Sequence, residues 1–329
     1  MAQEENVGSA LTSSDVARLP IRERVGLTIQ APDVATAIAR IREAEQARVQ
    51  QVWMTSVGMI DTLTLYAAAA TQTTHIRLGT SIVPIYPRHP LVMAQQAATI
   101  EALAPGRLRV GVGTCHRHLI EKIYGLSMPS PLEYLREYVE VMRQGLWKGR
   151  VEYQGRFFKV AASFPRTVRI PLLISALGEK AFRLAGEIAD GAISWMCPVP
   201  YLLDKALPAL RAGAEEGDRP APPLIAHIPV AMSTDEAAIQ EAATPRISFY
   251  TKAPFYAHMF EAAGFPVAGD GTGVDELVKT LVVAGDEAKV ENRLRELLAS
   301  GLDELLLMQV PVKDEVRERE QLMRVIGSL

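Results

Sequence analysis

Cysteine is scarce in this chain. Cys115 and Cys197 are the only two, which excludes a disulfide-stapled scaffold and a four-cysteine zinc site. Charge of one sign is not in surplus either: 35 Lys and Arg against 38 Asp and Glu leave a net charge of −3. A nucleic-acid-binding surface would show a clustered basic excess, so no nucleic-acid partner is expected. No apolar run approaches the roughly 20 residues needed to span a bilayer, so no membrane partner is expected. Residues 1–22 are polar and lack the basic-then-apolar order of a secretion signal, and are read as a flexible leader on a cytoplasmic protein. Internal repeats, low-complexity tracts and Ser/Gly-rich linkers are missing, so residues 1–329 are read as a single domain.

What is there is a steady alternation. Short apolar runs at Val25–Ile29, Val49–Met54, His75–Val83, Leu108–Gly113, Leu172–Ser175, Ala192–Trp195, Leu224–Val230 and Glu304–Gln309 read as strands. Most are followed by an amphipathic or Ala-rich segment of helical period, such as Val34–Arg48, Thr62–Ala70, Leu91–Leu103, Leu132–Trp147 and Glu287–Ser300. Apolar runs bounded by turns suit strands buried on both faces, as in a parallel sheet. Eight strand-helix pairs favour an α/β fold closed as a (β/α)8 TIM barrel over an open doubly wound sheet. Such a barrel takes about 250 residues, leaving roughly 80 for a leader and insertions after strands 4 and 7. Residues 149–170 read as a hairpin insertion and 233–286 as a helical lid.

In this architecture a site forms at the carboxyl ends of the strands. The third strand ends in Thr80-Ser81-Ile82-Val83-Pro84, with Pro87 and Pro90 close behind; this is either a stiff exit loop or a rigid wall for a planar ligand. The fourth ends in Gly111-Val112-Gly113-Thr114-Cys115-His116. With His at position 116 the third glycine of a dinucleotide fingerprint is missing. The glycines either relieve crowding in the barrel or offer bare backbone to a ligand. His116, at a strand's carboxyl end, is a candidate acid or base near neutral pH. After the fifth strand, Ser175-Ala176-Leu177-Gly178-Glu179-Lys180 opens a helix, whose free N–H groups and dipole, with Lys180, suit a phosphate. His116-Arg117-His118 raises a second class, a metal-dependent barrel hydrolase, although no further ligands stand at later strand ends. A Schiff-base aldolase is disfavoured because the sixth strand carries no lysine.

With these stretches in view, the chain from about Val25 onward resembles the bacterial luciferase-like flavin and deazaflavin oxidoreductases, and within them the branch that uses coenzyme F420. The resemblance is carried by Arg77-Leu78-Gly79-Thr80-Ser81 through Arg88-His89-Pro90, by Ala94 to Arg107, by Gly111-Val112-Gly113-Thr114, and by Ser175-Ala176-Leu177-Gly178 running on to Ala189-Asp190-Gly191. Arg246-Ile247-Ser248-Phe249-Tyr250, Phe255-Tyr256 and Gly264 are similar to the lid of the deazaflavin branch.

The resemblance implies a non-prolyl cis peptide at Ser81-Ile82 against the coenzyme ring, with Thr80, Gly111, Gly113 and Thr114 around it. It implies a phosphate held at Ser175, Ala176, Leu177, Gly178 and Lys180. His116 falls where some members place an acidic proton donor, which implies acid/base duty. Where some deazaflavin enzymes carry an Asp-His pair after the second strand, this chain has Thr55-Ser56, a departure that argues against sugar oxidation. The function implied is F420-dependent hydride transfer to or from a small organic substrate; Phe249, Tyr250, Phe255, Tyr256 and Phe260 suit a hydrophobic substrate and equally a core or a dimer interface. An FMN-dependent monooxygenase is the alternative, no metal is implied, and family analogy implies a homodimer.

Overall fold

The computed structural model describes residues 11–56, 58–267 and 271–329. Helix α1 (Ser13–Ala17) opens the described chain and is capped by Thr12, whose hydroxyl accepts from Asp15 N–H. Of the expected leader, residues 1–10 lie outside the described residues. Residues 11–22 are held against the barrel, with Val16 buried, Ser13 N–H donating to the Ala221 carbonyl at 2.9 Å and Ser13 Oγ to Asp303 at 2.6 Å.

The chain then runs β1 (Val25–Thr28), α2 (Val34–Gln46), β2 (Gln51–Met54), α3 (Thr62–Ala70), β3 (Arg77–Thr80), β4 (Val83–Pro84), α4 (Pro90–Leu103), β5 (Leu108–Gly113) and α5 (Pro131–Arg143). An antiparallel hairpin of β6 (Arg150–Gln154) and β7 (Lys159–Ser163) precedes β8 (Leu172–Ser175). Next come α6 (Glu179–Ile188), β9 (Ala192–Ile193), α7 (Val199–Tyr201), α8 (Leu207–Glu216) and β10 (Leu224–Ala231). Three helices, α9 (Glu236–Thr251), α10 (Pro254–Ala262) and α11 (Val274–Leu281), and the short β11 (Val283–Ala284) follow, then α12 (Glu287–Ala299), β12 (Glu304–Gln309) and α13 (Glu315–Ser328).

Strands β1, β2, β3, β5, β8, β9, β10 and β12 pair in parallel in that order, and β12 returns to β1, so the sheet closes. This is a (β/α)8 barrel, whose closure leaves no unpaired sheet edge. The expected third strand is broken in two: the Ser81-Ile82 peptide is cis, and the chain re-enters as β4 beside β5. Pro245 sits inside α9. None of the described helices is long and apolar enough to cross a membrane.

Alternation along the strands fills the barrel in layers. At the amino-terminal end Arg109 makes a two-pronged ion pair with Glu304 at 2.7 and 2.8 Å, and Gln51 Nε2 donates to the same carboxylate at 3.1 Å. Burial works to raise the Glu304 pKa, but Arg109 and the donated hydrogen bonds more than reverse it and hold the carboxyl ionised. One step up, Trp53 packs with Leu173, Ile193, Ile225 and Leu306. The indole fits because Gly26 and Gly79 carry no side chain; a Cβ on Gly79 would lie 2.3 Å from the ring. The next inward residues are Thr28, Ser81, Gly113, Ser175, Trp195, His227 and Met308, which form the floor of the carboxyl-terminal mouth.

Candidate active site

Of the residues singled out in the sequence, Ser81, Gly113 and Ser175 line this mouth, whereas Thr80 and Gly111 are built into the barrel wall. Thr80 is fully buried and its hydroxyl is spent inside the wall, donating to the Gly111 carbonyl at 2.7 Å and accepting from Gly111 N–H at 2.8 Å. Gly111 is equally structural: a Cβ there would stand 2.1 Å from the Thr80 carbonyl oxygen. Gly113 faces the mouth, and the space above it is bounded by Ser175 Oγ and Ile82. The Ser81 N–H donates to Met54, and the Ile82 carbonyl accepts from Ser56 N–H, which pins the cis segment to the loop after β2. Thr114 and His116 are half-buried just beyond β5, and Cys115 takes a left-handed conformation at φ 60° that turns the chain there.

The cradle after β8 is open. Gly178 caps α6 with no side-chain hydrogen bond and has nothing within 4 Å of the position a Cβ would take. Lys180 is exposed in the first turn of α6 and has no ion-pair partner among the described residues. The Ala176 N–H is not available, because it donates to the Ile193 carbonyl at 2.9 Å. The Leu177 carbonyl is taken by the Tyr201 hydroxyl at 3.1 Å. The donors left for an anion are those at the start of α6, where the dipole is most favourable.

From the loop after β5 a column of rings descends into the barrel. His116 stacks on Tyr256 with ring centroids 5.8 Å apart, and Tyr256 lies 4.8 Å from Tyr250. The Tyr250 hydroxyl accepts from Trp195 Nε1 at 2.7 Å, and Trp195 lies flat on His227 at 3.7 Å. Helices α9 and α10 supply both tyrosines, so they act as a lid. Tyr256 and Phe260 are buried, whereas Phe249 and Phe255 are 64% and 67% exposed. Burial lowers the His116 pKa below its ordinary 6.5 and leaves the ring neutral at pH 7. Burial raises the Tyr250 and Tyr256 hydroxyls, which stay protonated.

Two features were not read from the sequence. His227 is fully enclosed, accepts Met196 N–H on Nδ1 at 3.3 Å, and has no partner for Nε2 among the described residues. Thr28 Oγ1 and Ser81 Oγ are buried and unpaired in the same floor. Buried polar atoms are usually paired, so these three leave hydrogen-bonding capacity in the floor of the mouth. Their signal in the sequence is the polar residue at an inward position of an apolar strand. His118, by contrast, is exposed and stands apart. Among the described residues no three His, Cys, Asp or Glu side chains gather as a metal site, so the barrel-hydrolase alternative has no ligand set. Two surface recesses of about 520 Å³ lie elsewhere, one along α9 and one at the base of the β6–β7 hairpin.

This geometry has counterparts. A family model described as luciferase-like monooxygenase matches residues 17–304. An F420-dependent glucose-6-phosphate dehydrogenase of Rhodococcus jostii is 29% identical over 86% of this chain and 84% of its own. One of Nocardia farcinica is 30% identical over 76% of this chain and 78% of its own. Among solved structures, the coenzyme F420 dependent tetrahydromethanopterin reductase of Methanopyrus kandleri superposes with a TM-score of 0.76 at 24% identity, covering 92% of this chain and 97% of that one.

Proposed function

The chain belongs to the luciferase-like monooxygenase family, and from that premise we propose that it is an F420-dependent oxidoreductase acting on a small organic substrate with an apolar body. The observation that carries the reading is the uncapped start of α6 at Gly178, open to solvent and beside the exposed Lys180. The sequence relatives named above support the deazaflavin over FMN.

The residues present fit such a coenzyme. The N–H groups at the start of α6, with Lys180, would hold its phosphate, and Ile82, Gly113 and Ser175 would form the wall against its ring. When bound, F420 supplies two-electron hydride chemistry. The protein's own part is positioning and exclusion of water: Tyr250 and Tyr256 of the lid would cover the mouth, fix a substrate and strip its solvation. His116, neutral and at the rim, would take a proton at a ring nitrogen from a substrate hydroxyl, or return one in the reverse direction. Phe249 and Phe255 support an apolar approach surface. Thr55 and Ser56 stand after β2, and with no carboxylate or imidazole there a sugar is not the substrate we infer. A homodimer and a cytoplasmic location belong to the same reading, and sedimentation of the purified protein checks the first.

Titration of the apo-protein with F420 and with FMN tests the proposal. Saturable F420 binding weakened by Lys180→Glu is the expected result. Tight FMN binding with no F420 binding would replace it with the monooxygenase reading.

A further inference from the structure

Arg246, on the lid helix α9, is a cation without a counter-ion among the described residues. Arg109 and Arg143 sit on buried carboxylates. Arg246 instead donates to the thioether of Met308 at 3.1 Å and to the side-chain oxygen of Gln30 at 3.2 Å, and pairs with no carboxylate among the described residues. A thioether is a weak acceptor, and a guanidinium half-buried on neutral partners forfeits much of its hydration without full return. Both acceptors lie at the carboxyl ends of strands: Met308 is in β12, and Gln30 follows β1. His227 lies in β10, the strand beside β12, and its enclosed Nε2–H is unpaired. His227 and Tyr250 both feel the Arg246 charge.

We propose that Arg246 and His227 form a carboxylate-binding subsite in the mouth. Arg246 would present a planar fork that matches the two oxygens of a carboxylate, and His227 Nε2–H a single neutral donor. The subsite lies over β10, β12 and β1, whereas the phosphate cradle at Gly178 follows β8, so one anion does not account for both. Its consequence for the reaction, that the substrate is an organic acid with an apolar body, rests on the oxidoreductase reading; the subsite itself does not.

The test uses the full apo-protein at low salt, with sodium benzoate as probe and benzamide as its neutral isostere, followed by isothermal titration and by the fluorescence of Trp195 on His227. Benzoate should bind at least tenfold more tightly than benzamide. Arg246→Met, which keeps the apolar stem, should weaken benzoate about tenfold to a hundredfold, the range for hydrogen bonds to charged groups, and leave benzamide unchanged. Arg246→Lys, which keeps the charge and loses the fork, should recover part of the affinity and shows that the loss is not one of folding. His227→Phe, which keeps a ring against Trp195 and removes the donor, should weaken benzoate severalfold.

Equal affinities for benzoate and benzamide, or none for either, overturn the proposal, as does an Arg246→Met variant that binds benzoate like the parent. An Arg246→Met variant that loses F420 affinity and keeps benzoate affinity also overturns it, because Arg246 would then hold the coenzyme. Discrimination of benzoate from benzamide in a protein that binds no F420 upholds the subsite and fails only the coenzyme assignment.

Discussion

Trp195 lies flat on His227, with ring centroids 3.7 Å apart and planes 24° from parallel. This stack joins the lid to the barrel interior: above it Trp195 donates to Tyr250, and beneath it Met196 N–H donates to His227 Nδ1. A protonated His227 would lose that backbone hydrogen bond and stand charged beside Arg246. Burial, aided by the Arg246 charge, therefore pushes its pKa from 6.5 down to about 3.

A pH dependence of stability follows from that shift. The unfolded chain protonates His227 below about pH 6.5, and the folded chain resists until about pH 3. The unfolded state thus binds more protons across this window, and stability falls as pH falls, by up to about 1.4 kcal/mol per pH unit from this one group. Above pH 6.5 the contribution is complete. Chemical denaturation between pH 4 and 7 should show the slope, and His227→Gln should flatten it by about one proton. An unchanged slope would mean that His227 is not the group responsible.

The two glycines of β5, Gly111 and Gly113, should respond differently to alanine. In Gly111→Ala the new Cβ meets the Thr80 backbone carbonyl at 2.1 Å, and the barrel wall must part to admit it. A cost of about 1–3 kcal/mol or more is expected from thermal melts. In Gly113→Ala the first obstacle is the Ser175 hydroxyl, also at 2.1 Å, a small group that can rotate away. The cost should be smaller, and the larger effect should be lost coenzyme affinity, since Gly113 faces the mouth. Equal destabilisation by the two substitutions would contradict this division.

The contrast shows what the sequence could carry. The eight barrel strands are legible because each is a short apolar run buried on both faces, and the hinge between β3 and β4 is reached only through resemblance, since His75 to Val83 reads as one continuous strand by pattern. Gly111 and Gly113 look alike in sequence; only the packing of Thr80 and Ser175 separates them. Likewise Ala176 reads with Gly178 as a phosphate donor, yet its N–H is committed to Ile193, a pairing set by a strand 17 positions on in the chain. His227 was invisible as a site residue because its unpaired Nε2 depends on what Trp195, Met196 and Arg246 bring to it from other elements.

At the cradle the prediction concerns charge. Lys180→Glu alters an exposed side chain with no partner among the described residues, so stability should move by less than about 0.5 kcal/mol. The reversed charge at the start of α6 should weaken a bound phosphate by roughly 1 kcal/mol at low ionic strength. The loss should shrink as salt is raised and the field is screened. F420 titrations at low and high salt check it, and an effect indifferent to salt would argue against an electrostatic cradle.

His116 carries the last prediction. Its ring is stacked on Tyr256 and flanked by Tyr250 and Phe249, and burial alone lowers its pKa below 6.5. A base must be deprotonated to accept the substrate's proton, so turnover in the oxidising direction should be flat near neutrality and fall as pH drops through that lowered pKa. His116→Ala should lose this acid limb and reduce kcat by about 10²- to 10⁴-fold, the usual share of a positioned acid or base. Coenzyme affinity should barely change, because the phosphate donors lie at the start of α6. His116→Phe separates the two capacities of the ring: it preserves the stack on Tyr256, and hence the lid, but supplies no nitrogen. If that variant turned over like the parent, His116 would be a packing residue and the proton would have to pass through another group.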